Sequence, residues 1–180
     1  MARTKRQSQI VTEAARLFAE YGYNGVSIED LGAALGISGP ALYRHFASKD
    51  ALLSEILVSV SQGLLDRGRA CVAESSTAPE ALTRLIDMHL DLSLTEPELI
   101  RVQDRDRASL NDIDAGKVRR LQRAYVELWV DQLVPFLTRD EARIRAQAAF
   151  GLLNSTPHLR GDTEAIGTTL RSMAMKALLA

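Results

Sequence analysis

The side chains best placed to do chemistry in this 180-residue chain crowd into one stretch, Leu35 to Asp50, reading LGISGPALYRHFASKD. Tyr43, Arg44, His45 and Lys49 combine hydrogen-bond donors with positive charge, a set that suits phosphate oxygens and the edge of a base. Their neighbours say how they are presented. Gly36 sits where a helix C-cap needs a residue that tolerates a left-handed backbone, and Ile37 can fill the corner that follows. Ser38 is a good N-cap, and Pro40 falls in the first turn of the next helix, where a missing N–H costs nothing. Ala41 to Phe46 then form a short helix, with Leu42 and Phe46 at i,i+4 anchoring inward. Gly39, Pro40, Tyr43 and Arg44 are left facing out, and Ser48 caps a further helix. Tyr43, His45 and Lys49 therefore come at spacings that suit a phosphate backbone lying across two helix starts. The stretch reads as the second half of a helix-turn-helix.

The elements that must position it are helical throughout. Thr4 with Gln7 and Ser27 with Asp30 are capping-box pairs that open the first two helices. Ile10, Ala14, Leu17, Phe18 and Tyr21 give the first helix one apolar stripe, Gly22 ends it, and Ile28, Leu31 and Leu35 are the buried positions of the second. From Ser48 a long helix runs to about Glu74 on Leu52, Leu53, Ile56, Leu57, Val60, Leu64 and Leu65. Pro79 opens a helix with Leu82, Leu85, Ile86, His89 and Ser93 on one face. Arg and Asp alternate from Arg101 to Arg107, which reads as a solvated, salt-bridged helix end. A second long helix spans about Asp114 to Leu137. Thr138 with Glu141 makes a third capping box, opening an Ala-rich helix, and a last helix starts near Thr163. The expected fold is all-α with about nine helices: a three-helix DNA-binding domain over residues 1–47 and a larger helical domain over 48–180.

From about Gln7 to Leu57 the sequence resembles the DNA-binding domain of TetR-family transcriptional regulators. The resemblance rests on Phe18, Gly22, Tyr23, Ser27, Gly36, Ser38, Leu42, Tyr43, His45, Phe46, Lys49, Leu52 and Leu53 in fixed order. It implies a homodimer on a palindromic operator in double-stranded DNA, with the last two helices of each subunit forming the interface. Ala142, Ala146, Ala149, Leu153, Ile166, Leu170, Met173 and Ala177 would supply that interface. It also implies a repressor whose small effector shifts the fourth helix and so the spacing of two recognition helices. On DNA, Arg44 would read a guanine edge and Gly39 and Pro40 would allow close approach. Ser27, Tyr43, His45 and Lys49 would hold the backbone, Ser38 would belong to the same DNA-binding set, and Arg3, Lys5 and Arg6 would form a basic arm. Many members carry a longer polar side chain near positions 39 and 40, so shape and methyl contacts are expected to weigh more here.

Composition narrows the alternatives. The formal net charge is −1, so any affinity for DNA must come from a local basic surface. One cysteine, Cys71, excludes an intramolecular disulfide, and no apolar run is long enough for a bilayer; a cytoplasmic protein without a membrane partner is the expectation. His45, His89 and His158 are scattered, with no nucleophile, acid–base pair or metal-ligand spacing, so neither an enzyme nor a metal or cofactor is expected. The expected effector lining is Met88, His89, Leu92, Val102, Tyr125, Leu128, Trp129, Phe150, Asn154 and His158. It is apolar with few polar atoms and suits a hydrophobic molecule with one polar end; the resemblance adds a lipid-like or acyl-thioester compound. The rival reading is a helical ligand-binding or protein-interaction module without sequence-specific DNA binding.

Overall fold

The computed structural model describes residues 4–179, and every regular element among them is helical. The helices are α1 Lys5–Tyr21, α2 Ile28–Leu35, α3 Gly39–Tyr43, α4 Lys49–Ala73, α5 Ala78–Thr95, α6 Pro97–Asp106, α7 Asp112–Leu133, α8 Arg139–Leu153 and α9 Thr163–Leu179. Short 3₁₀ turns stand at Arg107–Ser109 and Thr156–His158. Two units divide the chain: one takes the residues up to Val60 together with Glu98–Val118, and the other takes Ser61–Pro97 together with the residues from Arg119 on. The long helices α4 and α7 contribute residues to both.

In the first unit, local chemistry fixes where the helices start. The Gln7 N–H donates to Thr4 Oγ1 at 3.2 Å while Thr4 N–H donates to Gln7 Oε1 at 3.0 Å, and Ser27 and Asp30 make the same reciprocal pair. The Ala51 N–H donates to Ser48 Oγ, so α4 opens as its sequence predicts. Ser38 does not cap: it occupies the N-cap position of α3, but its hydroxyl makes no capping hydrogen bond. The third expected box is half formed. Glu141 N–H reaches Thr138 Oγ1, while the Glu141 carboxylate takes the Arg145 guanidinium one turn on, a charge-assisted bond that outcompetes the neutral backbone N–H.

The turn between α2 and α3 depends on two glycines. Gly36 adopts the left-handed conformation, φ 63°, closing α2. Gly32 lies so close beneath the turn that a Cβ there would stand 2.6 Å from the Ile37 carbonyl oxygen. With the turn seated this tightly, Leu42 is driven into a core built from Ile10, Ala14, Phe18, Leu31, Leu52, Leu53 and Ile56. Burying each large apolar side chain fully stabilises the unit by about 1.5–3 kcal/mol relative to exposure. Tyr21, expected on the apolar stripe, is 59% exposed; Tyr23, past the Gly22 turn, is buried edge-on against Phe18. α3 also starts and stops earlier than its sequence suggests, at Gly39 and Tyr43, with Phe46 tied on by its N–H to the Leu42 carbonyl.

Segment 98–118 belongs to this unit. Val102 and Val118 are fully buried in its core. The Arg–Asp alternation is not simply a solvated helix end, because Asp106 is buried and accepts the Tyr23 N–H at 3.3 Å. Arg105 pairs with that carboxylate and donates to the Phe18 carbonyl, so the end of α1 and the start of the following turn are both held from α6.

In the second unit α5, α8 and α9 pack on one another. Leu82, Leu85, Ile86, His89 and Ser93 are all buried along α5, the face that their spacing predicts. Against them stand Ala142, Ala146, Ala149 and Leu153 of α8 and Leu170, Ala174 and Leu178 of α9. Small side chains at those positions let the helix axes approach closely. No helix among the described residues is long and apolar enough to cross a membrane.

Candidate DNA-binding surface and effector cluster

On the first unit the recognition segment is presented largely as its sequence predicts, with Gly39 less open than expected. Ser38, Pro40, Tyr43 and Arg44 are exposed, Gly39 and His45 are half-buried, and Leu42 at 1% exposure anchors the helix. Ser38, at the N-cap position of α3, makes no capping bond with its hydroxyl. A Cβ on Gly39 would meet only Ile28 Cγ2, at 3.4 Å, an ordinary contact, so nothing inside the unit demands glycine there.

The residues expected to hold phosphates differ in how committed they already are. Tyr43 is open. The exposed Ser27 donates its hydroxyl proton to Asp30 at 2.6 Å, and the two hydrogen bonds from Ser27 hold the Asp30 carboxyl below its ordinary range. Lys49 is the most committed. Its ammonium donates to the Tyr23 and Val26 carbonyls, both at 2.9 Å, and sits 4.3 Å from the centroid of the Tyr23 ring. The Tyr23 hydroxyl in turn bonds the Asp50 carboxylate, and burial first and Asp50 second push that phenol up. Lys49 therefore fastens the turn before α2 to the start of α4. At the arm, Lys5 is exposed, while Arg6 donates to Gln9 Oε1 and to the Leu35 carbonyl at 3.1 Å each, tying the start of α1 to the end of α2. Both line an open groove of about 500 Å³ together with Gln9, Thr12, Glu13 and Leu35. Arg3 lies outside the described residues.

On the second unit five of the expected effector residues come together. His89 Nδ1 accepts from the Tyr125 hydroxyl at 3.2 Å, and His89 Nε2–H donates to Asn154 Oδ1 at 2.9 Å, which sets the tautomer. The Trp129 and Phe150 rings complete the cluster, with centroids 4.8 Å apart, and the His89 ring is stacked on Tyr125 at 5.9 Å. Burial lowers the His89 pKa to about 4, with the Asn154 hydrogen bond opposing it, so the imidazole is neutral at pH 7. Burial likewise pushes the Tyr125 phenol up, the Trp129 N–H countering it only in part. Trp129 is fully buried, and no hydrogen bond of acceptable geometry reaches its indole N–H among the described residues.

The remaining expected lining is dispersed. Leu92 is buried and Met88 and Leu128 are half-buried in the same unit, whereas His158 ends a 3₁₀ turn on the surface and Val102 is core in the first unit. Gly68 of α4, which with Gly63 reads in the sequence as a bend or a close approach to another backbone, instead faces side chains of the cluster. A Cβ there would stand 2.9 Å from Tyr125 Cε2 and 3.2 Å from Leu128 Cδ1, so the glycine lets Tyr125 lie flush against α4.

The expected interface residues need correcting. Ala142, Ala146, Ala149, Leu153 and Leu170 are buried inside the protomer, because the small-residue face of α8 is taken up by packing within the chain. Of the others, Ile166 and Ala177 are half-buried and Met173 is 47% exposed. The apolar position sequence reasoning overlooked is Ile144, 68% exposed, which shares an open face of α8 with Ala148 and Gly151 at i, i+4 and i+7. Its signal was faint: an isoleucine between two arginines.

Comparison with known proteins agrees with this anatomy. Residues 10–56 match the model of the bacterial regulatory proteins, tetR family. Over 154 residues the chain is 26% identical to the transcriptional repressor KstR2 of Rhodococcus jostii, covering 84% of this chain and 76% of that protein. Among solved structures it is similar to the TetR family transcriptional regulator PfmR from Thermus thermophilus, with a TM-score of 0.84 at 26% identity over 98% of this chain and 97% of that one. A TetR-family regulator from Bordetella parapertussis shares the fold with a TM-score of 0.86 at 22% identity, covering 96% and 95% of the two chains.

Proposed function

We propose that this chain, a member of the TetR family of bacterial regulatory proteins, is a homodimeric transcriptional repressor that binds a palindromic operator and leaves it when a small apolar effector binds. The observation that carries the reading is the recognition segment. Inside the family-matched stretch, a glycine-closed turn and a buried Leu42 hold Pro40 and Tyr43 outward on a five-residue helix, with Ser38 and Arg44 exposed at its two ends. So short a helix touches few base pairs, and two of them on a two-fold site multiply a weak contact.

Roles on DNA follow from how each group is held. Arg44 has the reach and the donor fork for guanine O6 and N7, and Pro40 and Gly39 offer a low profile to the groove floor. Tyr43, His45 and Ser38 are placed for phosphate oxygens, with Lys5 and Arg3 as a basic arm. Ser27 and Lys49 act mainly by fixing the turn before α2 and the start of α4, given the bonds that they already make. Dimer contacts belong to the open faces of α8 and α9 at Ile144, Ala148 and Met173. The effector site is the cluster around His89, Tyr125, Trp129, Phe150 and Asn154, and α4, which touches it at Gly68, is the element that carries the response. An effector works here by binding two states of the dimer with different affinity. No residue is assigned a catalytic role, and the cytoplasm is the compartment that suits a regulator of this kind.

Selection of bound sequences from a random DNA pool at near-physiological salt tests the reading. An enriched two-fold palindrome is the expected result. A folded protein that enriches no motif would overturn the reading in favour of a ligand- or partner-binding module.

A further inference from the structure

The effector cluster specifies more than an apolar ligand. Its polar atoms satisfy one another in a chain: Tyr125 donates to His89, and His89 donates to Asn154. One strong donor is left over, the indole N–H of Trp129, buried and without an acceptor of proper geometry. Buried donors are almost always matched, so an unmatched one inside a ring of aromatic side chains marks the place of a missing acceptor. The charge state of that acceptor follows from its surroundings. Neutral imidazole, phenol, indole and carboxamide groups make up the polar part of the cluster. The cation felt at His89 and Tyr125 is Arg67, which is exposed and bonded to the Gly63 carbonyl. A carboxylate brought to Trp129 would lose its hydration with no buried counter-charge among the described residues.

Building on the effector reading above, we propose that the ligand enters with an uncharged carbonyl on an apolar body, its oxygen accepting the Trp129 N–H, and that free carboxylic acids are rejected. Phe150 in the last turn of α8 and Asn154, the residue that caps it, are the half-buried members of the cluster, and the carbonyl passes between them. Aromatic faces and Leu92 take the apolar body.

Trp129 is the sole tryptophan in the chain, so the ligand bond has its own optical reporter. The test titrates the full-length protein at pH 7 with 2-decanone and with decanoate, matched in length and differing in charge, following tryptophan emission and binding heat. The expected result is a red-shifted emission with the ketone, as an acceptor reaches the indole N–H, and at least tenfold weaker binding of decanoate. Calorimetry on Trp129→Phe should show that preference gone. Equal or tighter binding of decanoate, no binding of either compound, or a preference that survives in Trp129→Phe would each overturn the proposal. The unaltered chain decides the first two, so a variant that folds poorly does not leave the question open. Operator selection reads the regulator assignment separately, so its failure and the failure of the ligand assignment are distinguishable.

Discussion

Arg44 and His89 show how differently two ionisable residues can be used in one chain. Arg44 is exposed at the end of α3, and the proposed function has it read a base. Arg44→Ala should relax selectivity at one base pair in each half-site, costing about 1–3 kcal/mol against the preferred base. Competition binding on singly substituted operators checks this, and a uniform loss on all sequences would reassign Arg44 to the phosphates. His89 is buried neutral, with its pKa lowered from 6.5 to about 4. Between those values the unfolded chain binds a proton that the folded chain refuses, so stability is full above about pH 6.5 and is lost as pH falls toward 4. The loss is on the order of 3 kcal/mol at about 1.4 kcal/mol per unit. Urea unfolding from pH 7 to pH 4.5 should show that slope, and His89→Phe should flatten it. Arg44 and His89 were both legible in the sequence, one by its place after a Gly–Pro turn and the other by its place on an apolar stripe. Lys49 was legible only as a cation. That its charge goes to two backbone carbonyls depends on where the chain brings Tyr23 and Val26, which no local spacing reveals.

At the scale of the element, α4 carries two glycines with opposite environments. Gly68 faces Tyr125 and Leu128, whereas a Cβ on Gly63 meets nothing within 4 Å. Gly68→Ala should therefore overpack the contact and destabilise by about 1–2 kcal/mol, the clash outweighing the better helix propensity. Gly63→Ala should stabilise by about 0.5–1 kcal/mol through propensity alone. Chemical denaturation of the pair separates the two effects, and equal shifts would show that Tyr125 yields easily. Sequence periodicity located α4, α5 and α9 well, because a helix buried along one side carries a 3.6-residue signature over many turns. It did worse on α3, whose five residues are too few for a period, and on α6, whose Arg–Asp alternation hides one buried carboxylate. Asp106 tolerates burial by accepting the Tyr23 N–H and pairing with Arg105, and sequence separation conceals the first of these bonds.

For the whole molecule, the small-residue stripe of α8 is used up inside the protomer, which leaves the opposite, open face of α8 for the proposed second subunit. If the open face carries the dimer, Ile144→Glu should weaken association by at least tenfold, since an isologous contact counts the change twice. Ala146→Leu should instead lower the stability of each protomer, because Ala146 is fully buried. Analytical ultracentrifugation beside thermal unfolding distinguishes the two, and a dimer indifferent to Ile144→Glu would move the interface elsewhere. By itself the sequence determined the all-helical class, the helix starts at Thr4, Ser27 and Ser48, and the recognition segment with its outward residues. Caps, turns and amphipathic stripes are properties of neighbours along the chain, so they are written locally. Only the tertiary structure decided that segment 98–118 builds the first unit, that α8 buries its alanines within the protomer, and that the Trp129 N–H is left unmatched in a neutral aromatic cluster. Those outcomes depend on which face of a helix meets which partner, and an alanine or tryptophan on a stripe is compatible with several partners until the chain has packed.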